Sequence, residues 1–308
     1  MELRQLRYFV AVADELNFGR AAARLRIAGP SLSQQIKALE RDLGVRLFDR
    51  DRRSVALTAA GEALLPRTRA LLDQADELRR SAAGTPAPLR LGYVNWRPTD
   101  LAERVSGVAQ VHVDAWVLPS HAQAGRVADG SIDLAICWVS AADLAAHDLD
   151  ARLVGADLLY AVAPGADPAP VRAADTVVLA DADAATWSSW NRYAEELALA
   201  TGARLVHIDD GGITGPAFFD QVRRLGGPVV NSPKGQTTTL PPDLVRRPVV
   251  RPTPCWTWAL VSRRADDRAA VRAVVEALTR DVGPLDPATW LPADDPFSPG
   301  RSGEASAG

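Results

Sequence analysis

Four side chains that can hydrogen-bond DNA bases stand close together near residue 30. They are Ser31, Ser33, Gln34 and Gln35. A glutamine amide can bond N6 and N7 of adenine together, and a serine hydroxyl donates to or accepts from several base edges. Lys37 lies one helical turn beyond Ser33 and suits a phosphate oxygen. The pattern predicts direct readout of DNA. The alternatives are that Ser31 only begins a helix and that the glutamines are ordinary solvated residues.

Three arginines follow in a segment that alternates apolar and charged residues. Arg50, Arg52 and Arg53 would suit phosphates or a narrow minor groove, both of which attract guanidinium groups. The alternative is that they form an ordinary solvated turn.

A second group of polar and aromatic side chains falls where strands of the later sequence should end, which is the usual ligand position in α/β sheets. The candidates for binding a small effector are Asn95, Trp96, Thr99, Trp138, Ser188, Ser189 and Thr214. Hydroxyls and amides beside tryptophan suit a small, partly aromatic or carboxylated molecule, and the helix expected after Trp190 could present its N-terminus to an anion. The alternative is that Trp96, Trp187 and Trp190 only pack in a hinge and core.

Enzyme and metal motifs are missing from the sequence. The four histidines are scattered, and no HExxH, GxSxG, GxGxxG or P-loop occurs. Asp209 and Asp210 have no further ligand set, and Cys137 and Cys255 lack metal spacing. We therefore expect no enzyme, no metal and no cofactor.

Helices position the first group of residues. Apolar residues recur at three-to-four spacing over residues 3–13, 18–25 and 32–43, with Asn17 as a cap and Gly44 as a stop. The alternation over 45–57 predicts a two-stranded wing. Residues 1–58, called the head below, therefore read as a winged helix-turn-helix DNA-binding domain.

A long helix is predicted over residues 59–84, with Thr58 as its N-cap. Leu64, Leu71 and Leu78 repeat every seven residues beside Ala75. Such a stripe needs a partner, most simply a second copy of the chain, so these four residues are predicted to dimerise. The helix could instead pack on its own domain.

The rest of the chain, residues 85–308, is called the body. Short apolar runs alternate with helical stretches, which predicts an α/β effector-binding domain over 85–283. Residues 284–308 are rich in Pro, Gly, Ser and Ala without a periodic apolar face, and they predict a disordered tail.

Charge is divided unevenly along the chain. The head holds 11 basic and 7 acidic side chains, whereas the 308-residue chain has a net charge of −3. Because residues 59–84 are neutral, the body carries −7. A basic head on an acidic body is expected when only one end meets a polyanion. No apolar run approaches the roughly 20 residues of a membrane span, and we expect a cytoplasmic protein with reduced cysteines.

With these elements in place, the chain resembles the LysR-type transcriptional regulators. The likeness is closest over residues 1–65 and more diffuse in the body, at Leu89–Gly92, Gly130–Ile136 and Leu158–Pro164. Its carriers in the head are Leu3–Phe9, Asn17-Phe18, Ala21-Ala22, Leu25, Pro30, Leu32-Ser33, Gln35-Ile36, Leu39-Glu40, Leu43-Gly44, Leu47-Phe48, Arg50, Leu57-Thr58 and Gly61.

The resemblance implies a multidomain α plus α/β chain: a winged helix-turn-helix head, a long dimerising linker helix, and an effector domain of two Rossmann-like α/β subdomains, similar to a type 2 periplasmic binding protein. We place subdomain I at 87–160 plus 263–283 and subdomain II at 161–262. The implied partners are double-stranded promoter or operator DNA, an effector in the cleft between subdomains, and a second copy in a homodimer or homotetramer. RNA polymerase would be affected indirectly, through promoter access.

Two positions in the head depart from the family pattern. Gly29 stands where the family commonly has a DNA-contacting glutamine, and Gln34 stands where arginine is frequent. Base readout is expected to shift to Ser33, Gln34 and Gln35. An alternative function is a small-molecule sensor whose DNA binding is weakened or lost.

Overall fold

The computed structural model describes residues 1–15, 17–25, 27–50, 55–82, 88–209, 211–236 and 238–298. The chain divides into two compact units, one made mainly of Met1–Ala87 and the other mainly of the residues from Pro88 onward. Over the described residues, none of the helices combines the length and apolarity that crossing a membrane requires.

Three helices and a small hairpin form the head. The elements are α1 (Leu3–Glu15), α2 (Phe18–Leu25), α3 (Gly29–Leu43), β1 (Phe48–Arg50) and β2 (Val55–Leu57). Asn17 caps α2, since its Oδ1 accepts from Arg20 N at 3.0 Å. Gly44 ends α3 in the left-handed region, with φ of 71°. The two strands pair antiparallel, which confirms the predicted wing.

The predicted apolar faces of these helices meet in one core. Phe9 is fully buried, and its ring meets the ring of Phe48 edge-on with centroids 5.5 Å apart. Ala21 and Ala22 are also buried, which lets neighbouring helices approach α2 closely. The other buried apolar residues of this core are Leu6, Ala11, Val12, Ala13, Leu32, Ile36, Leu39, Leu47, Phe48 and Leu72.

The linker helix α4 (Ala59–Ala82) begins where the sequence predicts. Thr58 Oγ1 accepts from Gly61 N at 3.0 Å and donates to Arg46 O at 2.6 Å. Glycine is required at 61 because a Cβ there would lie 2.3 Å from the carbonyl oxygen of Leu47. Leu72 is buried and Leu64 packs partly against the head core. The head of the same chain therefore covers part of the apolar stripe in the first half of α4.

Subdomain I of the body is built on one mixed sheet that also includes two late strands, β13 (Thr253–Arg263) and β14 (Thr289–Trp290). The strand order is β14-β13-β5-β3-β4, with β6 also paired to β13. Strand β3 pairs parallel with both β4 and β5, and β5 pairs antiparallel with β13. The elements are β3 (Leu89–Tyr93), α5 (Leu101–Val105), β4 (Val111–Val117), α6 (Ser120–Ala128), β5 (Leu134–Cys137), α7 (Ala141–Ala146) and β6 (Leu149–Leu158).

Subdomain II is built on a second mixed sheet, in the order β10-β9-β11-β7-β12-β8. Its elements are β7 (Tyr160–Pro164), β8 (Val171–Arg172), β9 (Val177–Asp181), α8 (Ala184–Thr201), β10 (Arg204–Ile208), α9 (Gly215–Leu225), β11 (Val229–Val230) and β12 (Leu244–Val250). The chain then returns to the first sheet through β13 (Thr253–Arg263), α10 (Ala269–Thr279) and β14 (Thr289–Trp290).

The predicted return to subdomain I at residue 263 is placed too late. β13 pairs along its length with β6 and β5 of the first sheet, and not with the second sheet. Subdomain II therefore ends with β12, and residues 253–262 belong to subdomain I.

The prediction of a disordered tail over 284–308 is wrong for residues 284–298. Strand β14 pairs parallel with the start of β13, and Leu291 is buried. Asp295 is fully buried and accepts hydrogen bonds from Thr257 Oγ1 at 2.7 Å and Trp138 Nε1 at 3.1 Å. Contacts with residues distant in sequence hold this segment in place. The absence of a periodic apolar face was therefore not a sign of disorder. Residues 299–308 lie outside the described residues.

Candidate functional site

Helix α3 presents a polar face on the surface of the head. Its apolar side chains Leu32, Ile36 and Leu39 are fully buried. The predicted base-contacting residues fall on the other side: Ser31, Gln34 and Lys37 are exposed, and Ser33 and Gln35 are half-buried. The amide oxygen of Gln35 accepts from Gln5 Nε2 at 3.3 Å, which orients it from α1. The structure thus brings the five residues to one face of one helix.

The basic side chains of the head are not all equally available. Glu15 lies 3.2 Å from Arg20 Nε and 3.5 Å from Arg24 Nη1, so these two charges are partly neutralised. Lys37 is exposed on α3. Arg50 ends strand β1, whereas its side chain and the whole of Arg52 and Arg53 lie outside the described residues.

The leucine stripe of α4 divides between two environments. Leu64 packs partly on the head core, whereas Leu71 remains 40% exposed. Ala75 is half-buried, and the side chain of Leu78 lies outside the described residues. Among the described side chains of this stripe, Leu71 is thus the most exposed.

A narrow cleft with a cavity volume of about 30 Å³ lies between the two sheets of the body. Subdomain I contributes the end of β3, the first half of β13 and the start of α6, and subdomain II contributes the start of α8 and the 3-10 turn Pro233–Gly235. Its lining is Val94, Asn95, Pro119, Ser120, Thr186, Trp187, Ser189, Trp190, Ser232, Pro233, Lys234, Trp256 and Trp258.

Two predicted effector residues line this cleft. Asn95 follows β3, and its Nδ2 reaches Pro233 O of the other subdomain at 3.5 Å. Ser189 lies on the second turn of α8. Its neighbour Ser188 points instead to His121 of α6, with Oγ and Nδ1 3.0 Å apart. Residues 186–190 were expected in the loop before the helix, but they lie within α8, which Asp183 caps by accepting from Thr186 N at 3.1 Å.

Trp138 was predicted to line the cleft, and the structure places it in the core. It is nearly fully buried, and its Nε1 donates to the buried carboxylate of Asp295. Because Trp138 is the first residue beyond β5, its position along the chain resembled that of a ligand residue, while its side chain faces the segment that follows α10.

The other three predicted effector residues lie outside the cleft lining. Trp96 stacks on Trp258 with ring planes 17° apart, and it leaves no room for a side chain at Gly155. Thr99 is exposed in the turn before α5, and Thr214 precedes α9. Trp96 therefore supports a cleft wall from behind, in keeping with the packing alternative.

A tryptophan cluster joins the two subdomains behind the cleft. Trp256 lies 6.1 Å from both Trp258 and Trp190, measured between ring centroids. The hydroxyl of Tyr193 on α8 donates to Cys255 O at 2.9 Å. Near the rim, Arg192 Nη1 lies 3.3 Å from the carboxylate of Asp143. The contact between subdomains is thus mainly aromatic, with polar bridges around it.

Lys234 is the cleft residue that sequence reasoning most clearly missed. Its Nζ lies 4.2 Å from the ring centroid of Trp187, and burial lowers the pKa of its ammonium. It follows Asn231-Ser232-Pro233 directly after β11, so the same strand-end rule that selected Asn95 would have found it. Ser120, Ser232, Trp256 and Trp258 were also missed.

The titratable side chains near these sites form no metal site in the part of the chain that the structure describes. His, Cys, Asp and Glu side chains there form no group of three or more that could hold a metal ion. Burial raises the pKa of both Cys137 and Cys255 to about 12, so neither thiol ionises near neutral pH.

Comparison with known proteins finds a family model that matches the head. Residues 3–62 match the family model described as bacterial regulatory helix-turn-helix protein, lysR family. The Escherichia coli K12 protein named uncharacterized HTH-type transcriptional regulator YnfL is 40% identical over 146 residues, which cover 44% of this chain and 49% of the relative. The match thus spans about half of that relative's length.

Solved structures resemble the chain over most of its length. CbnR, a LysR family transcriptional regulator, matches with a TM-score of 0.59 and 20% identity, covering 92% of this chain and 100% of CbnR. Full-length CbnR in complex with its target DNA matches with a TM-score of 0.59 and 21% identity, covering 91% of this chain and 99% of that one. These likenesses establish the fold: a helix-turn-helix head, a linker helix and an α/β body.

Proposed function

Because residues 3–62 match the family model described as bacterial regulatory helix-turn-helix protein, lysR family, we propose that the protein is a sequence-specific DNA-binding transcriptional regulator of this family. A small effector in the body modulates its binding to promoter DNA. The observation that carries the proposal is the polar face of α3, where five hydrogen-bonding side chains lie opposite a fully apolar one.

Recognition follows from how such a helix enters the major groove. Residues near its N-terminus approach the base edges, so Ser31, Ser33, Gln34 and Gln35 read bases. Lys37, one turn further on, binds a phosphate, and the wing arginines Arg50, Arg52 and Arg53 bind phosphates or the minor groove. Gly29 supplies no side chain, and the glutamines of α3 take over the readout.

The protein acts as a homodimer or homotetramer. Operator half-sites are read by paired heads, and α4 leaves Leu71 exposed for a second copy. Half-buried Ala75 lies one turn further along α4, and the seven-residue spacing from Leu71 assigns Leu78 to the same seam. Leu64, which packs partly on its own head, contributes less to the seam than its heptad position predicts.

Regulation rests on the cleft between subdomains. Asn95 and Ser120 belong to one subdomain and Ser189 and Ser232 to the other, so a ligand that bonds both sets stabilises one arrangement of the two subdomains. The effector shifts the DNA-binding equilibrium only by its differential affinity for the two states, typically about 1–3 kcal/mol. The shift changes the access of RNA polymerase to the promoter.

The relatives that match this chain are transcriptional regulators, and regulators of this kind are not enzymes. We propose that the chain carries no catalytic activity, and that it works in the cytoplasm, where its DNA is found.

Gel retardation at stepped salt concentrations tests the DNA-binding proposal. The probes are the DNA upstream of the protein's own gene and a scrambled duplex of equal length. Gln34→Ala should lower the preference for the upstream DNA by about 1–3 kcal/mol and leave binding to the scrambled duplex unchanged. Lys37→Ala should weaken both and reduce the slope of log affinity against log salt by about one.

Gln110→Ala is the matched control, because Gln110 is exposed in the body, far along the chain from α3. It should leave both probes unaffected. No retardation of either probe at low salt would overturn the regulator proposal and favour the alternative that Gly29 suggests, a small-molecule sensor that has lost DNA binding.

A further inference from the structure

We propose that residues 286–298, called the clasp below, tie subdomain II to subdomain I and keep the cleft between them closed. The cleft cavity of about 30 Å³ is close to the volume that one water molecule occupies in the liquid. A larger molecule therefore enters only when the two subdomains separate, so the contacts that oppose their separation control its entry. This role goes beyond the proposed function, in which the clasp has no part.

The clasp is anchored on subdomain I. Its strand β14 pairs parallel with the start of β13. Further along, Asp294 O accepts from Ala141 N at 2.7 Å, at the beginning of α7. The carboxylate of Asp295 is fully buried and accepts from Thr257 Oγ1 and Trp138 Nε1. Because a buried carboxylate is costly without such partners, these bonds fix where the rest of the clasp lies.

Two short turns within the clasp are formed by its own sequence. Asp286 Oδ1 accepts from Ala288 N at 2.8 Å, and Asp295 Oδ1 accepts from Phe297 N at 2.9 Å. Aspartate favours such turns because its side chain reaches the backbone two residues further on. The segment between the two turns is the part of the clasp that contacts the other subdomain.

This segment reaches α8 of subdomain II. The ring of Trp290 meets the ring of Tyr193 edge-on, with centroids 5.4 Å apart. Ala293 N donates to Glu196 Oε2 at 3.1 Å. Both α8 residues lie at helical spacing from Ser189, a cleft residue of the same helix, so all three are on one side of α8. The clasp therefore holds the helix that carries one wall of the cleft.

The covalent connections between the subdomains leave them free to rotate. Over the described residues, the chain crosses between the subdomains twice, from β6 to β7 and from β12 to β13. The two crossings run side by side, since Leu159 N donates to Pro254 O at 2.9 Å. Adjacent crossings of this kind act as a hinge. The clasp adds a third, non-covalent connection, and a rotation that moves α8 away from β13 has to break it.

Thiol labelling of the full chain tests the proposal. Ser232 lines the cleft and is 1% exposed, so a thiol introduced by Ser232→Cys reacts with N-ethylmaleimide when the cleft opens. Cys137 in β5 is fully buried within subdomain I, and its labelling reports unfolding of that subdomain. Mass spectrometry of the digested protein gives the labelling rate at each of the two positions.

Two substitutions break the contacts of the clasp with α8 and leave its anchor on subdomain I intact. Added to Ser232→Cys, Trp290→Ala removes the ring that meets Tyr193 and should raise the labelling rate at position 232 about 10-fold. Glu196→Ala removes the acceptor of Ala293 N and should raise it about 3- to 10-fold, as for loss of one hydrogen bond. Trp290→Phe and Glu196→Gln keep a ring and an acceptor oxygen, and they should retain most of the closure.

Glu195→Ala is the matched control, because Glu195 is an exposed carboxylate next to Glu196 on the same helix. It should leave the labelling rate at position 232 unchanged, and none of the variants should change the rate at Cys137 by more than about twofold. Parent labelling rates at position 232 in both Trp290→Ala and Glu196→Ala would overturn the clasp. An equal rise at position 232 and at Cys137 would overturn it as well, because the variants would then unfold the body and not open the cleft. The experiment contains no DNA, so either failure leaves the proposed regulatory function standing.

Discussion

The head and the body differ in the kind of contact that holds each together. In the described part of the head, every nearly fully buried side chain is apolar, and the core joins helices that are neighbours in sequence. In the body, carboxylates are buried as well: Asp295 is bonded to Trp138 across 157 residues, and Asp133 to Arg268 across 135. The head is therefore specified mainly by local pattern, and the body by polar partners that only the tertiary fold brings together.

The largest expected effect tests the apolar side of this comparison. Phe9→Ala removes a fully buried ring from the head and should lower its free energy of unfolding by about 3–5 kcal/mol. All eight tryptophans lie at residue 96 or beyond, so tryptophan fluorescence reports on the body alone. For Phe9→Ala, we expect part of the helical signal in far-ultraviolet circular dichroism to be lost earlier in unfolding than in the parent protein. The transition followed by tryptophan fluorescence should be unchanged.

Leu199→Ala serves as the control for removing an apolar side chain, because Leu199 is 88% exposed on α8. It should change stability by about 0.5 kcal/mol or less. If Phe9→Ala moved both transitions equally, the two regions would unfold together and the comparison would fail.

The next largest effect tests the polar side. Asp295→Ala leaves Thr257 Oγ1 and Trp138 Nε1 as buried donors without their acceptor. A buried donor left unpaired costs about 1–3 kcal/mol, so we expect the body to lose about 2–4 kcal/mol in denaturant unfolding followed by tryptophan fluorescence. Asp295→Asn keeps an acceptor oxygen and should lose less. Equal losses in both variants would show that packing, and not hydrogen bonding, holds the segment.

The same carboxyl makes the stability of the body depend on pH. Burial raises the pKa of Asp295 to about 6, although the hydrogen bonds from Thr257 and Trp138 oppose the rise. The folded state then holds a proton that the unfolded state releases, so this contribution to stability is complete below about pH 4 and is lost as the pH rises through about 6. Relative to Asp295→Asn, the parent protein should lose about 2–3 kcal/mol between pH 4 and pH 7. A difference that stays constant over this range would contradict the raised pKa.

The same difference between the head and the body decides how much of the fold can be predicted from the sequence. The helices of the head follow from three-to-four spacing, and the caps at Asn17 and Thr58 are confirmed because both depend on residues within one turn. The α/β class of the body was also predictable, since alternating apolar runs and helical stretches are local features.

What could not be predicted depends on contacts between distant residues. The apolar run within β13 was recognised as a strand, but the sheet it joins is decided by its pairing with β5 and β6. Residues 284–298 lack periodicity and are nevertheless held through Asp295. Position after a strand selected Asn95, which lines the cleft, but also Trp138, which does not, because sequence does not say which side of the sheet such a residue faces.

Removing a helix cap should destabilise the two regions equally, and by less than the changes above, because a cap involves only residues within one helical turn. Thr58 caps α4, and Ser140 caps α7 in a reciprocal capping box with Asp143. Thr58→Ala and Ser140→Ala should each cost about 1 kcal/mol in thermal unfolding, whereas Thr58→Ser and Ser140→Thr should cost little. A much larger loss for Ser140→Ala would show that even the local contacts of the body depend on its tertiary packing.

The smallest effect on folding falls on the face of α4 that the head leaves uncovered. Leu71 is exposed, so Leu71→Asp should change the unfolding free energy of a single chain by about 0.5 kcal/mol or less. Its effect should appear in assembly instead, because a carboxylate on each copy would be buried against the other at the proposed seam. Light scattering should show a lower mass for Leu71→Asp and the parent mass for Leu199→Asp, which places the same charge on an exposed apolar residue of α8. An unchanged mass for Leu71→Asp would mean that α4 packs only on the head of its own chain. The head and its linker helix would then be specified by local pattern alone, without a contribution from a second chain.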